Sequence, residues 1–131
     1  MKNTFLLFVY GTLKSNKFAN NILEDSIHLA DATTTKDYSI YCLGDYPGMI
    51  LENSANGVRG EIYLVSKNLK KKLDMYEGVG FGLYSFKPIK IEKIYFKKMD
   101  TCLIDEFKKH KIIYSYIFNG SKDNAIKVDN W

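Results

Sequence analysis

The first hydrophobic run of the chain, Phe5 to Tyr10, holds no charged position and breaks at Gly11. A continuous apolar run of this length, closed by glycine, predicts a strand buried on both faces over residues 5–10. Residues 15–25 place Phe18, Ile22 and Leu23 at i, i+4 and i+5, which predicts a short helix or helical turn with one packed side. The stretch 28–42 is rich in Thr, Tyr and Ile and predicts two strands broken near Lys36 and Asp37, followed by a turn at "GDYPGM", residues 44–49. In "VRGEIYLV", residues 58–65, Val58, Gly60, Ile62 and Leu64 alternate with Arg59, Glu61, Tyr63 and Val65, the period of a strand. Ser66 is suited to cap a helix in which Leu69, Leu73 and Tyr76 recur at i, i+4 and i+7, and Gly78 stops it. Alternation returns over 83–96 and 111–118, the latter with Ile112, Tyr114, Tyr116 and Phe118 on one face. Strands outnumber helices and no strand-helix unit repeats. The pattern therefore predicts a mixed α/β (α+β) fold, a small and mainly antiparallel barrel-like sheet flanked by short helices.

Composition narrows this to one domain over residues 1–131: the chain is 46% hydrophobic and 26% charged, enough for one core and too short for two. The net charge is +4, with lysines gathered at 67–72, 87–98 and 108–111. Apolar residues are interleaved with them at strand or helix spacing, so they read as solvated faces and no nucleic-acid partner is expected. Cys42 and Cys102 fit no CxxC or Cys/His spacing, so no metal site is expected, and they read as two buried thiols and not a disulfide. Lys2 precedes an apolar run too short for a signal peptide, and no stretch is long enough to span a membrane, so a cytoplasmic protein is expected.

Two features point to chemistry. The break at Gly11 either turns backbone N–H groups toward a ligand or makes a plain turn. Glu77 lies four residues after Leu73 and eight after Leu69. If the helix reaches that far, Glu77 projects from the apolar stripe, where burial and the helix C-terminus both raise its pKa and suit it to proton transfer. If the helix ends a residue earlier, the carboxylate swings out to water. "EGVGFGLY", residues 77–84, either brings backbone close to a small ligand or forms a loose loop. His28 and His110 stand without suggestive sequence neighbours, and "GTLKSN" after the first strand lacks the glycines and the Gly-Lys-Ser/Thr ending of a nucleotide loop.

Taken in order, "VYGTLK" at 9–14, "YPG" at 46–48, "VRGEIYLV" at 58–65, "LDMYEG" at 73–78, Tyr84 seven residues past Glu77 and "VDNW" at 128–131 resemble the gamma-glutamylcyclotransferase superfamily. The resemblance is closest to its AIG2-like, gamma-glutamylamine cyclotransferase branch. It implies a gamma-glutamylcyclotransferase-like fold and an enzyme that releases 5-oxoproline from a small gamma-glutamyl substrate without metal or cofactor. It implies Glu77 as the catalytic general base and acid, and Tyr10, Gly11, Thr12 and Leu13 as the substrate loop. Tyr84 is implied either as a pocket wall or donor, or as a core tyrosine. One departure stands out: Phe86 occupies a position where this family often has arginine, so Arg59 or a lysine must substitute, or the substrate differs. Two other readings remain open, an inactive small-molecule binding protein of the same fold and a basic nucleic-acid or protein-binding domain. The resemblance leaves the leaving amine and the oligomeric state undetermined.

Overall fold

The computed structural model describes residues 3–97, 100–123, 125–128 and 131. Lys2, Lys98 and the Asp129 and Asn130 of "VDNW" lie outside the described residues. The strands are β1 (Thr4–Val9), β2 (Ile27–Thr34), β3 (Tyr38–Cys42), β4 (Pro47–Leu51), β5 (Arg59–Ser66), β6 (Tyr84–Ile89), β7 (Ile91–Phe96), β8 (Ile113–Phe118) and β9 (Ile126–Val128). The helices are α1 (Lys70–Tyr76) and α2 (Thr101–Lys109). Six strands form one sheet in the order β6-β8-β1-β5-β2-β7, and β4-β3-β9 form a second. Every pairing is antiparallel except β1 with β8, which is parallel. The fold is thus mixed α+β with a mainly antiparallel sheet, as the alternation predicts.

The uninterrupted apolar character of β1 has a direct cause, because both of its faces are covered. Leu6 and Phe8 enter a cluster with Ala30 and Ala32 of β2, Tyr38 and Ile40 of β3, Met49 of β4, and Ile62 and Leu64 of β5. This cluster draws on both sheets and is enclosed between them. Phe5, Leu7 and Val9 point the other way, into a second cluster with Tyr63, Val65, Leu73 of α1, Tyr84 of β6 and Tyr116 of β8. The site takes Leu13, Tyr84 and Tyr116 from this second side and Phe8 and Tyr10 from the first.

Several local expectations change. Residues 44–49 are only half a turn: Leu43 N–H bonds the Tyr46 carbonyl at 2.9 Å, and Pro47 then opens β4, the strand position a proline tolerates. The alternation over 83–96 divides at Lys90 into β6 and β7, which occupy opposite ends of the larger sheet. Helix α2 was not marked by the pattern, although Asp100 caps it through the Cys102 and Leu103 N–H groups and Leu103 and Phe107 recur at i, i+4. The helical turn expected at 15–25 shrinks to a 3₁₀ segment, Asn20–Leu23, and Phe18 is 75% exposed instead of packed. Cys42 and Cys102 are free thiols, but Cys42 is half-buried and Cys102 exposed, so neither is the buried thiol expected. Among the described residues no helix is long and apolar enough to cross a membrane.

Ser66 accepts from Asn68 N–H at 3.3 Å and caps a 3₁₀ turn, Lys67–Leu69, that leads straight into α1. Leu73 is the buried residue of α1 and is fully enclosed. Leu73→Ala is expected to cost about 2–5 kcal/mol, read as a lowered denaturant midpoint in equilibrium unfolding.

Candidate active site

Helix α1 closes on Glu77, which keeps a right-handed conformation (φ −82°, ψ −1°) and donates its N–H to the Leu73 carbonyl at 2.9 Å. The helical rotation therefore extends to Glu77 and carries its side chain round toward the Leu73 face. Gly78 follows at φ +66° and turns the chain away, with its N–H on the Met75 carbonyl at 3.2 Å. Glu77 lines a cavity of about 270 Å³ together with Tyr10, Gly11, Thr12, Leu13 and Tyr84. The structure thus brings all six sequence-predicted site residues to one cavity.

Among the described residues no group donates a hydrogen bond to the Glu77 carboxylate, and desolvation pushes its pKa up from 4.5 to about 7. Three buried tyrosines stand around it. The Tyr10 hydroxyl donates to the Tyr116 carbonyl (2.7 Å) and accepts from Met49 N–H (3.0 Å). The Tyr84 hydroxyl donates to the Pro47 carbonyl (2.6 Å), and that of Tyr116 donates to Asp74 Oδ1 (2.7 Å). Burial raises the pKa of each above the usual phenol range, and the Glu77 carboxyl raises all three further. They remain protonated and hold the walls through hydrogen bonds to backbone and to Asp74.

The loop after β1 is held at both ends. Lys14 N–H bonds the Gly11 carbonyl (3.0 Å), and Ala19 N–H bonds the Thr12 carbonyl (3.0 Å). The Thr12 hydroxyl and the Tyr76 hydroxyl share a 2.5 Å hydrogen bond between loop and helix. The N–H groups of Gly11, Thr12 and Leu13 meet no acceptor among the described residues. Gly11 has a steric reason of its own: a Cβ there would stand 2.7 Å from Pro47 Cγ. The glycine lets "YGTL" and "YPG" approach each other.

The cavity also includes residues that sequence reasoning left out of the site, above all Pro47, Tyr76, Ser115 and Tyr116. Tyr116 was legible only as one member of an aromatic strand face. Phe86 does not line the cavity. Its ring stacks on Tyr114 (4.6 Å) and meets Tyr116 edge-on (5.3 Å), with Lys70 Nζ 4.3 Å above it. Arg59 lines a separate depression with Lys14, Asp31 and Glu61, and among the described residues no lysine or arginine lines the cavity. Trp131 lies outside the cavity, its carbonyl accepting from Lys14 Nζ (2.6 Å) and its ring 4.9 Å from Lys17 Nζ. The histidines have partners that sequence does not show: His28 bonds Asp31 (3.1 Å) and stacks on Tyr63, while His110 bonds Thr4 (3.1 Å). His28, Asp31 and Glu61 converge within 4.8 Å, but Glu61 is already occupied by the N–H and hydroxyl of Ser15.

The family model described as gamma-glutamyl cyclotransferase, AIG2-like, matches residues 7–131. A provisionally named gamma-glutamylcyclotransferase of Vibrio cholerae is 38% identical over 74 residues, covering 56% of this chain and 63% of its own. A second protein with that provisional name, from Arabidopsis thaliana, is 38% identical over 98 residues, covering 67% and 51%. The chain spans about half to three fifths of the length of these relatives. Among solved structures, an AIG2-like protein of Mus musculus superposes with a TM-score of 0.74 at 15% identity, over 98% of this chain and 88% of that one. A uropathogenic Escherichia coli-specific protein superposes with a TM-score of 0.71 at 20% identity, over 96% and 88%. These two structures share the fold.

The geometry makes two outcomes measurable. Glu77 takes up its proton more readily folded than unfolded, so its contribution to stability is complete below about pH 4.5 and lost as pH rises through about 7. Urea unfolding at pH 5 and pH 8 should show wild type losing up to about 3 kcal/mol relative to Glu77→Gln across that window; parallel pH curves would place the carboxylate in water. Gly11→Ala should displace Pro47 and lower the thermal midpoint by several degrees, and an unchanged midpoint would show that the Pro47 contact yields freely.

Proposed function

The chain belongs to the gamma-glutamyl cyclotransferase, AIG2-like, family, and we propose that it converts a small gamma-glutamyl compound to 5-oxoproline, releasing an amine or amino acid. The observation that carries this reading is a carboxyl group with a pKa near 7 inside a cavity otherwise lined by neutral groups and loop backbone, apart from the exposed Asp45.

Such a substrate brings its own nucleophile. Its α-amine gives a proton to the Glu77 carboxylate and attacks the γ-carbonyl carbon, closing a five-membered ring. The carbonyl oxygen becomes an oxyanion, for which the N–H groups of Gly11, Thr12 and Leu13, unpaired among the described residues, can serve as donors. When the tetrahedral centre collapses, the bond to the leaving nitrogen breaks and Glu77 returns the proton to that nitrogen. The carboxyl ends the cycle as it began. A pKa near the working pH suits both halves of this exchange, and a positioned acid-base group contributes about 10²- to 10⁴-fold in rate. Holding the glutamyl chain folded against the tyrosine walls supplies the near-attack geometry that ring closure needs.

The departure at Phe86 bears on this less than the sequence suggests, because Phe86 stands outside the cavity lining. Without a cation among the described lining residues, the donors for the substrate's α-carboxylate come from backbone N–H groups and the hydroxyls of Thr12, Tyr46 and Tyr76.

The test is 5-oxoproline release from a panel of gamma-glutamyl amino acids, gamma-glutamyl amines and gamma-glutamyl-ε-lysine. Wild type is expected to turn over at least one member, with kcat/KM rising as pH approaches 7 from below. Glu77→Gln should lose 10²- to 10⁴-fold while keeping its fold by circular dichroism. Full activity in Glu77→Gln would remove this carboxylate from the mechanism.

A further inference from the structure

The Glu77 carboxylate has no hydrogen bond to a described residue, so no bond of its own aims it. Its direction comes from α1. That helix has seven residues, too few to be stable alone, so its rotation against the sheet must be set by contacts. Leu73 and, just before the helix, Leu69 provide depth, but two apolar side chains on one stripe leave a short helix free to roll about that line.

The polar contacts of α1 supply the missing constraint. Asp74 stands three residues before Glu77, a neighbour on the same side of the helix. Its Oδ1 accepts from the Tyr116 hydroxyl at 2.7 Å and its Oδ2 from Lys70 Nζ at 2.8 Å. Lys70 Nζ also lies 4.3 Å above the ring of Phe86, and that ring meets Tyr116 edge-on at 5.3 Å. The four side chains make a closed circuit between α1, β6 and β8. Tyr116 is itself anchored, since it is 3% exposed and its carbonyl accepts from the Tyr10 hydroxyl at 2.7 Å. Tyr76, immediately before Glu77, bonds Thr12 of the loop.

We propose that Lys70, Asp74 and Tyr116 are positioning residues: they clamp α1 to β8 and so keep Glu77 directed into the cavity. Tyr116 acts through Asp74, and Lys70 holds the Asp74 carboxylate in place as a charge-assisted acceptor through its 2.8 Å contact. The consequence for catalysis rests on the reading of Glu77 as the proton carrier, while the clamp itself is a statement about where Glu77 points.

That separation gives the experiment. A carboxyl held in the cavity titrates near 7, whereas one released to water titrates near the ordinary 4.5. The groups around Glu77 are Tyr10, Tyr84 and Tyr116 from the sheet side, Asp45 and Tyr46 from the loop before β4, and Tyr76 and Asp74 from its own helix. Among these, Tyr116→Phe deletes one hydroxyl and adds no charge. The Glu77 carboxyl is followed by ¹³C NMR titration of protein labelled at the glutamate side-chain carboxyl, its signal assigned by its loss in Glu77→Gln. In Tyr116→Phe its pKa should fall by at least one unit, with kcat for 5-oxoproline release falling about tenfold and KM within twofold of wild type. Lys70→Met should move both in the same direction, and Lys70→Arg should restore them. The lysine is at the surface of the helix, so this pair tests the clamp even if Tyr116→Phe folds poorly. An unchanged Glu77 titration in Tyr116→Phe or Lys70→Met overturns the clamp, whatever the activity. A lowered pKa combined with full activity in Glu77→Gln would keep the clamp and overturn only the proton-carrier reading.

Discussion

Strand β1 has no solvent face, and the rest of the molecule is arranged to satisfy that constraint. Leu6 and Phe8 require a cover on one side, which the second sheet provides through Tyr38, Ile40 and Met49. Phe5, Leu7 and Val9 require another, which α1 and the segment after β1 provide through Leu73, Leu13 and Leu23. Each cover delivers a part of the site. The strand end leads into Tyr10 to Leu13, the helix ends on Glu77, and β4 begins at Pro47 against Gly11. Hydrophobic burial thus chooses where the polar groups meet.

The polar groups then divide their work by proton affinity. Tyr10, Tyr84 and Tyr116 are driven to higher pKa by burial and by the nearby Glu77 carboxyl, and each spends its hydroxyl proton on a backbone carbonyl or on Asp74. They are struts. Glu77 is the half-buried lining group brought to titrate near neutrality, through desolvation with no described hydrogen bond to offset it. A carboxylate bonded like Glu61, which accepts from the N–H and hydroxyl of Ser15 and from the Tyr63 hydroxyl, would be of little use for proton exchange.

Features carried by short-range periodicity were legible in the sequence. The buried first strand, the alternation of β5, the stripe Leu69–Leu73 and the placement of Glu77 on that stripe all follow from spacing within one element, and the structure repeats them. The break at Gly11 was legible as a break, whereas its steric cause, Pro47, lies 36 residues away in the sequence and shows only in space. The same holds for Thr12 with Tyr76 and Tyr116 with Asp74, separated by 64 and 42 residues. Phe18 misled because helical spacing says nothing about whether a neighbour exists to pack on, and here it is 75% exposed at the cavity lining. Helix α2 packs through one i, i+4 step, Leu103 to Phe107, beside Lys108 and Lys109, too short a stripe to stand out as a period.

The parallel pair β1–β8 joins Leu6 and Leu7 to Ile113 and Tyr114. Closing a loop of that span must precede any reward from the contact, which places this chain among slow, topology-limited folders. During synthesis β1 emerges before β8, and the edge that β8 pairs stays open until the segment containing β8 has been made. An apolar strand with an open edge is a template for unwanted pairing, and the contact that closes it is the same one that brings Ser115 and Tyr116 to the cavity.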